Sequence, residues 1–177
     1  MEASQVLALV EQIIEEHKSI IRGLKDLDQV ANDAGAIKVL DRAQEDFVPE
    51  RLTSRQQGVR SWQESLEMVR RGIEAHFNRE ETALLPAVEE YGDEAQLSRL
   101  RGWLAEHAEL RERLAKLDID VAELNAAEAH HVVWHGKAWG IRVYMNHTLK
   151  LFERHAKGEQ KLLLAMKKGL QERIKKS

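Results

Sequence analysis

The stretch HFNREETALLP, from His76 to Pro86, sets a histidine four residues ahead of a glutamate where the surrounding pattern calls for helix core. A second stretch, HAKGEQKLLLAM from His155, repeats the histidine, the glutamate and two leucines. Residues four apart share one face of a helix, so His76 with Glu80, and His155 with Glu159, each present an imidazole and a carboxylate to one spot. Two single histidines, His17 and His107, recur in another repeated pair of segments, EEHKSIIRGLKDLD from Glu15 and AEHAELRERLAKLD from Ala105. A buried ionised carboxylate is costly unless it is paired or binds a metal, and two side by side repel. Two divalent or trivalent ions bridged by both glutamates resolve both problems. The expected metal ligands are therefore His17, His76, Glu80, His107, His155 and Glu159. Nitrogen and oxygen donors without sulfur suit iron, or less well manganese, at five or six coordination, whereas structural zinc prefers four ligands and often sulfur.

One core histidine bonded to a glutamate is ordinary packing. The joint pattern is more specific, because each histidine falls on a different helix. Val6, Val10, Ile13, His17, Ile20, Leu24 and Leu27 alternate steps of four and three, the mark of one buried helix face. Trp62, Leu66, Val69, Ile73, His76, Glu80, Ala83 and Ala87 keep the same rhythm, as do Leu97, Leu100, Leu104, His107, Leu110, Leu114 and Leu117. The last seam is Trp134, Ala138, Ile141, Met145, Thr148, Phe152, His155, Glu159, Leu162 and Met166. The boundaries follow from local chemistry. The first helix should stop near Asn32-Asp33-Ala34-Gly35, the second near Tyr91-Gly92, and Asp93 can cap the third. The fourth should start between Ala127 and Val132. Pro86 should bend the second helix, since it lacks an N–H.

These elements predict an all-α fold, an antiparallel up-down four-helix bundle, with residues 1–177 forming a single domain. An extra helical or loop insertion is expected between the first two helices: Ala36 to Phe47 as a short helix, then a connection through Pro49, Thr53, Ser54 and Gly58. It could cover a bundle end or form a homodimer contact. His17, His76 and His107 lie 14 or 15 residues from their helix ends and should meet at one depth, whereas His155 matches only if the fourth helix overhangs. The repeats relate first to third helix and second to fourth, which implies an approximate twofold axis.

The remaining residues limit the function. With no cysteine, disulfides, thiolate ligands and thiol catalysis are excluded. The net charge of −3 and scattered basic residues argue against a nucleic-acid face. The basic run from Lys167 to Lys176 reads as a helix C-terminus. Acids within the first apolar stretch argue against a signal peptide or membrane span, so a soluble cytoplasmic protein is expected. His130, His131 and His135 lie too far along the fourth helix to join His155 and would form at most a separate surface patch, and His147 is off the seam. Glu81, one step off the seam, is expected at the bundle edge. The tryptophans and Met145 are expected as packing.

His17, His76-x-x-x-Glu80, His107 and His155-x-x-x-Glu159, in this order over nearly the whole chain, resemble the haemerythrin-like, HHE cation-binding family. The resemblance implies a four-helix bundle holding a non-haem di-iron centre with an oxo or hydroxo bridge. Its implied partners are small molecules: oxygen, peroxide or nitric oxide, bound, sensed or reacted with. Peroxidase or nitric-oxide-reductase activity, iron storage or sensing, and iron-centre repair are the alternatives it leaves open. A helical interaction module without redox chemistry is a further reading. Oxygen-carrying members have an added histidine one turn from the third-helix ligand, whereas the neighbours of His107 here are Trp103 and Arg111. The set thus resembles the variant with four histidines and two glutamates, which leaves more open positions on the metals and favours reactivity over carriage. The repair members often carry a cysteine-containing N-terminal segment that this chain lacks.

Overall fold

The sequence is rich in Ala, Leu, Glu, Lys, Arg and Gln, all strong helix formers, and contains only two prolines. In the computed structural model, which describes residues 1–33, 49–126 and 131–176 (32, 33, 49–57, 131 and 132 by backbone alone), the described chain is helical except at Met1, Glu2, Gly92, Asp93 and Ala105. It contains no strand among the described residues. The first helix, α1, spans Ala3–Asp33. The second runs through α2 (Pro49–Arg79), a π-helical segment (Glu80–Leu84) and α3 (Leu85–Tyr91). The third comprises α4 (Glu94–Leu104) and α5 (Glu106–Ala126), and the fourth is α6 (His131–Lys176). The all-α, four-helix bundle expected from the periodicity is therefore the fold.

The ends follow the predicted chemistry. Asp93 caps α4 with a reciprocal box: the Gln96 N–H donates to Asp93 Oδ1 at 2.7 Å, and the Asp93 N–H donates to Gln96 Oε1 at 3.0 Å. Gly92 just before it donates to the Val88 carbonyl at 2.9 Å, and a Cβ there would lie 2.7 Å from that oxygen, so only glycine fits. The last turn of α6 carries Arg173, Lys175 and Lys176, where cations meet the negative end of the helix dipole.

Two expectations change. Pro49 and the residues to Gly58 are not a connection: α2 begins at Pro49. Proline suits a first helical position, where its missing N–H has no partner in any case. The Ala36–Phe47 helix and the Gly35 stop lie outside the described residues. The distortion expected at Pro86 takes the form of the π segment ahead of it. There the Leu85 N–H bonds the Glu80 carbonyl five residues back, and the Thr82 hydroxyl donates to the Asn78 carbonyl at 2.6 Å. A proline cannot donate to the carbonyl four residues earlier, and a π turn reallocates the freed groups.

Chain contacts define two compact units. One comprises Met1–Ile21, Gly72–Arg111 and Leu151–Ser177. Its apolar core includes Val6, Val10, Ile13, Leu84, Val88, Leu100, Leu163 and Met166. Leu84, fully buried, takes the inward place expected of Ala83, which is only partly buried. The other unit comprises Arg22–Arg71 and Glu112–Lys150. There Trp62 and Trp134 are buried with Leu66, Leu117 and Met145, and the Trp134 indole donates to the Leu124 carbonyl at 3.2 Å. Trp139 departs from the expected packing role and is 62% exposed. No helix among the described residues is long and apolar enough to cross a membrane.

Candidate metal centre

All six residues singled out by spacing fall within the first unit, and each is at most 1% exposed. His17 comes from α1, His76 from α2, Glu80 from the first position of the π segment and His107 from the first turn of α5. His155 and Glu159 come from α6, whose 46 residues supply the length that His155 needs. The side chains form two groups whose donor atoms lie within 4.8 Å of one another: His17, His76, Glu80 and Glu159 in one, and Glu80, His107 and His155 in the other.

Glu80 belongs to both, and its two oxygens divide between them. Oε1 is 3.0 Å from His76 Nε2 and 3.6 Å from His17 Nε2, whereas Oε2 is 3.2 Å from His107 Nε2. Glu159 Oε2 lies between His17 Nε2, at 3.4 Å, and His155 Nε2, at 3.7 Å. None of these approaches has hydrogen-bond geometry. The Nε2 atoms of all four histidines and both oxygens of both glutamates are buried without a hydrogen-bond partner. Buried polar groups are almost always satisfied, so a convergent set of such atoms needs a ligand outside the protein's own donors. The donor chemistry fits metal binding: imidazole and carboxylate only, with Glu80 common to both groups.

The histidine Nδ1 atoms explain how the imidazoles are aimed. Glu16 Oε2 is 3.1 Å from His76 Nδ1, Glu81 Oε1 is 2.8 Å from His107 Nδ1, and Glu106 Oε2 is 3.3 Å from His155 Nδ1. A carboxylate at Nδ1 places the proton there and turns Nε2, as a free donor, toward the centre. Glu81 is partly exposed, in keeping with its off-seam position, and still reaches the His107 ring. Arg111 donates to both its oxygens, at 2.8 and 3.2 Å, and to Glu74 at 3.0 Å. Glu16 is likewise tied to Arg79 Nε at 3.1 Å. None of these three acids was expected at the site, although each adjoins one of the six, and Glu16 and Glu106 are the glutamates of the repeated Glu-His pair. His17 Nδ1 alone among the four has no such partner.

Apolar rings close around the cluster. Phe77, fully buried, stacks on His107 at 3.8 Å between centroids. Phe152 meets His76 and His155 at 6.3 and 6.2 Å. Trp103 meets His155 edge-on at 6.0 Å.

The electrostatics reflect crowding. Burial disfavours charge on Glu80, but His107, His17 and His76 outweigh it and hold the carboxyl well below its usual range. Burial and the neighbouring Glu80 charge push Glu159 up to about 7. Burial opposes charge on His17 as well, yet the carboxylates of Glu159 and Glu80 raise it to about 9. His155 is lowered to about 3, by burial first and then, against the pull of Glu80, by the imidazoles of His107, His17 and His76. Arg111 holds Glu81 below the ordinary carboxylate value. Two carboxylates and four imidazoles in one dry site thus share protons poorly, and cations would relieve the conflict.

Of the remaining histidines, the two whose side chains are described do not join the site. His147 is exposed, with Nδ1 3.4 Å from Arg113 Nη1. His135 is half-buried and joins no metal-ligand group among the described residues. His131 is described by its backbone alone, and His130 lies outside the described residues.

The family model of the Hemerythrin HHE cation binding domain matches residues 8–166. No curated protein and no solved structure is significantly similar to the chain.

Proposed function

The chain belongs to the Hemerythrin HHE cation-binding domain family, and on that premise we propose that it is a non-haem di-iron protein that binds, senses or reacts with oxygen, peroxide or nitric oxide. Metal binding follows from the family and from the His/Glu groups that fit it. The ligand set, the count of two ions, the oxygen bridge and the small-molecule partner are the proposal's own content. The observation that carries it is the set of unpaired buried atoms, four Nε2 and four carboxylate oxygens, converging on two overlapping positions.

In this reading His17, His76 and Glu159 would hold one ion and His107 and His155 the other, while Glu80, which belongs to both groups, would be shared. Bound iron would supply electrons and coordination positions open to a small ligand. The protein's part is to aim and to shield. Glu16, Glu81 and Glu106 fix three imidazole tautomers; Arg111 holds the Glu81 carboxyl below its usual range, and Arg79 pairs with Glu16. Phe77, Phe152 and Trp103 keep water from the imidazole faces. His17 and Glu159 are the groups whose protons must leave on loading and can return on release.

Elemental analysis of purified protein tests the proposal. About two irons per chain, together with an absorption change on adding azide, peroxide or nitric oxide, is the expected result. A folded chain without metal that ferrous iron cannot reconstitute would show that the seam histidines only pack. Peroxide turnover that disappears on chelation would place the protein among enzymes rather than binders or sensors.

A further inference from the structure

Trp103 is the aromatic residue beside the centre whose placement depends on a missing side chain elsewhere. Its indole sits on Gly158, where a Cβ would fall 2.4 Å from both Cζ2 and Cη2. Contacts that short do not occur between real atoms, so any residue other than glycine at 158 displaces the indole. Glycine is a poor choice inside a helix as long as α6, and here the close approach of Trp103 accounts for it. From this seat the indole meets the His155 ring edge-on, 6.0 Å between centroids and 87° between planes. Trp103 also precedes His107 by four residues, on the far side of the helix break at Ala105. It is thus in ring contact with His155 and one turn before His107 in the sequence.

That position has the smaller donor set. Three residues, Glu80, His107 and His155, converge there, against four at the other. At equal coordination number, the position with fewer protein donors takes more external ligands. Its other surroundings are fixed. Phe77 is fully buried against His107. Glu81 is clamped by Arg111 and bonded to the His107 ring, and Glu106 is bonded to the His155 ring. Trp103 is partly exposed and carries no charge to anchor it, while His107 and His155 are at most 1% exposed. Among these groups its side chain can move with the least loss of electrostatic contact.

We propose that Trp103, seated on Gly158, sets the size of the external ligand admitted to the metal position of His107 and His155. With the indole in its seat a small ligand such as azide is admitted and a ring such as imidazole is excluded. This rests on the di-iron reading and specifies where in that site the small molecule enters. Two variants test it from opposite sides: Trp103→Ala removes the indole, and Gly158→Ala leaves it in the chain but pushes it from its seat.

The ferric protein is titrated with azide and with imidazole, following the ligand-to-metal absorption. Both variants should bind imidazole at least about tenfold more tightly than the wild type, with azide affinity changed less than about twofold. A second readout needs no metal. In the chelated protein, the ring-proton resonances of His155 should shift in both variants as the indole ring current leaves its edge. Iron content is measured on the same samples. Unchanged azide-to-imidazole selectivity in both iron-loaded variants would overturn the gate, as would unmoved His155 resonances in Gly158→Ala. Absence of iron from the wild type would instead overturn the di-iron reading, leaving the resonance test to decide whether Trp103 sits on Gly158 against His155.

Discussion

Replacing Glu159 by Gln should stabilise the protein when metal is absent and weaken it when metal is present. In the metal-stripped chain Glu159 is pushed from 4.5 to about 7 by burial and by the charge of Glu80. A carboxyl so displaced costs roughly 3 kcal/mol once it must ionise. Glutamine keeps the volume and removes that charge. The gain is not the full amount, because Glu159 Oε2 also faces the His17 imidazole at 3.4 Å, and the variant leaves His17 with Glu80 alone. Allowing about half for that loss leaves a net gain of about 1–2 kcal/mol. At about 2–4 °C per kcal/mol for a chain of this size, Tm should rise by about 2–8 °C. The pH dependence fixes the sign. Below pH 4.5 the native carboxyl is neutral in both folded and unfolded chains, so the penalty is absent; above about 7 it is fully present. Calorimetry on chelated wild type and Glu159→Gln at pH 8 and pH 4.5 should therefore show an advantage for the variant only at pH 8. Reloaded with ferrous iron, the same variant should hold less metal and gain less Tm from it. A chelated variant that melts below the wild type at pH 8 would refute the reasoning, since the His17 pairing would then outweigh the repulsion from Glu80.

The other predictions concern the shell, proton balance, metal linkage and architecture. Glu106→Gln leaves every ligand in place but removes the carboxylate at His155 Nδ1, and should speed metal loss to a chelator by about 10–100-fold; retention equal to wild type would mean that the contact does not orient the ring. Because His17 is raised to about 9, it is protonated at pH 7.5, so zinc uptake there should release its proton, and apparent affinity should climb as pH rises toward 9. A pH indicator in weak buffer measures this, and uptake without proton release at pH 7.5 would contradict it. Stripping the metal should lower Tm by about 8–16 °C for each ion held at about a thousand times its Kd, and an unchanged Tm after verified removal would rule out the metal as a structural element. Asp93→Ala removes the side-chain acceptor of the capping box of α4 and should cost about 1 kcal/mol, read by urea denaturation.

Much of this protein is legible one helix at a time. Apolar residues at steps of three and four fix which face of each helix is buried, and a histidine or glutamate on that face is visible because it breaks the pattern. His17, His76, Glu80, His107, His155 and Glu159 could be picked out for that reason, as could the Asp93 cap, whose partner Gln96 lies three residues away. The acids that aim the imidazoles were not legible. Glu16, Glu81 and Glu106 occupy positions that look solvent-facing on their own helices, and the histidines they hold are 60, 26 and 49 residues distant. Whether such a side chain meets a ring on another helix depends on the rotation and offset between helices, which periodicity along one helix does not encode. The π segment at Glu80–Leu84 is of the same kind: Pro86 marks trouble in the backbone, but the packing of the buried Glu80 and Leu84 decides which carbonyls are reassigned. So is the seat of Trp103 on Gly158, where the absence of a side chain on one helix shows its purpose only when the other helix is laid against it. The sequence alone picked out the candidate donors, because a buried charge is conspicuous in an apolar stripe; tertiary structure decided which neighbours orient and enclose them, because those contacts exist only between helices.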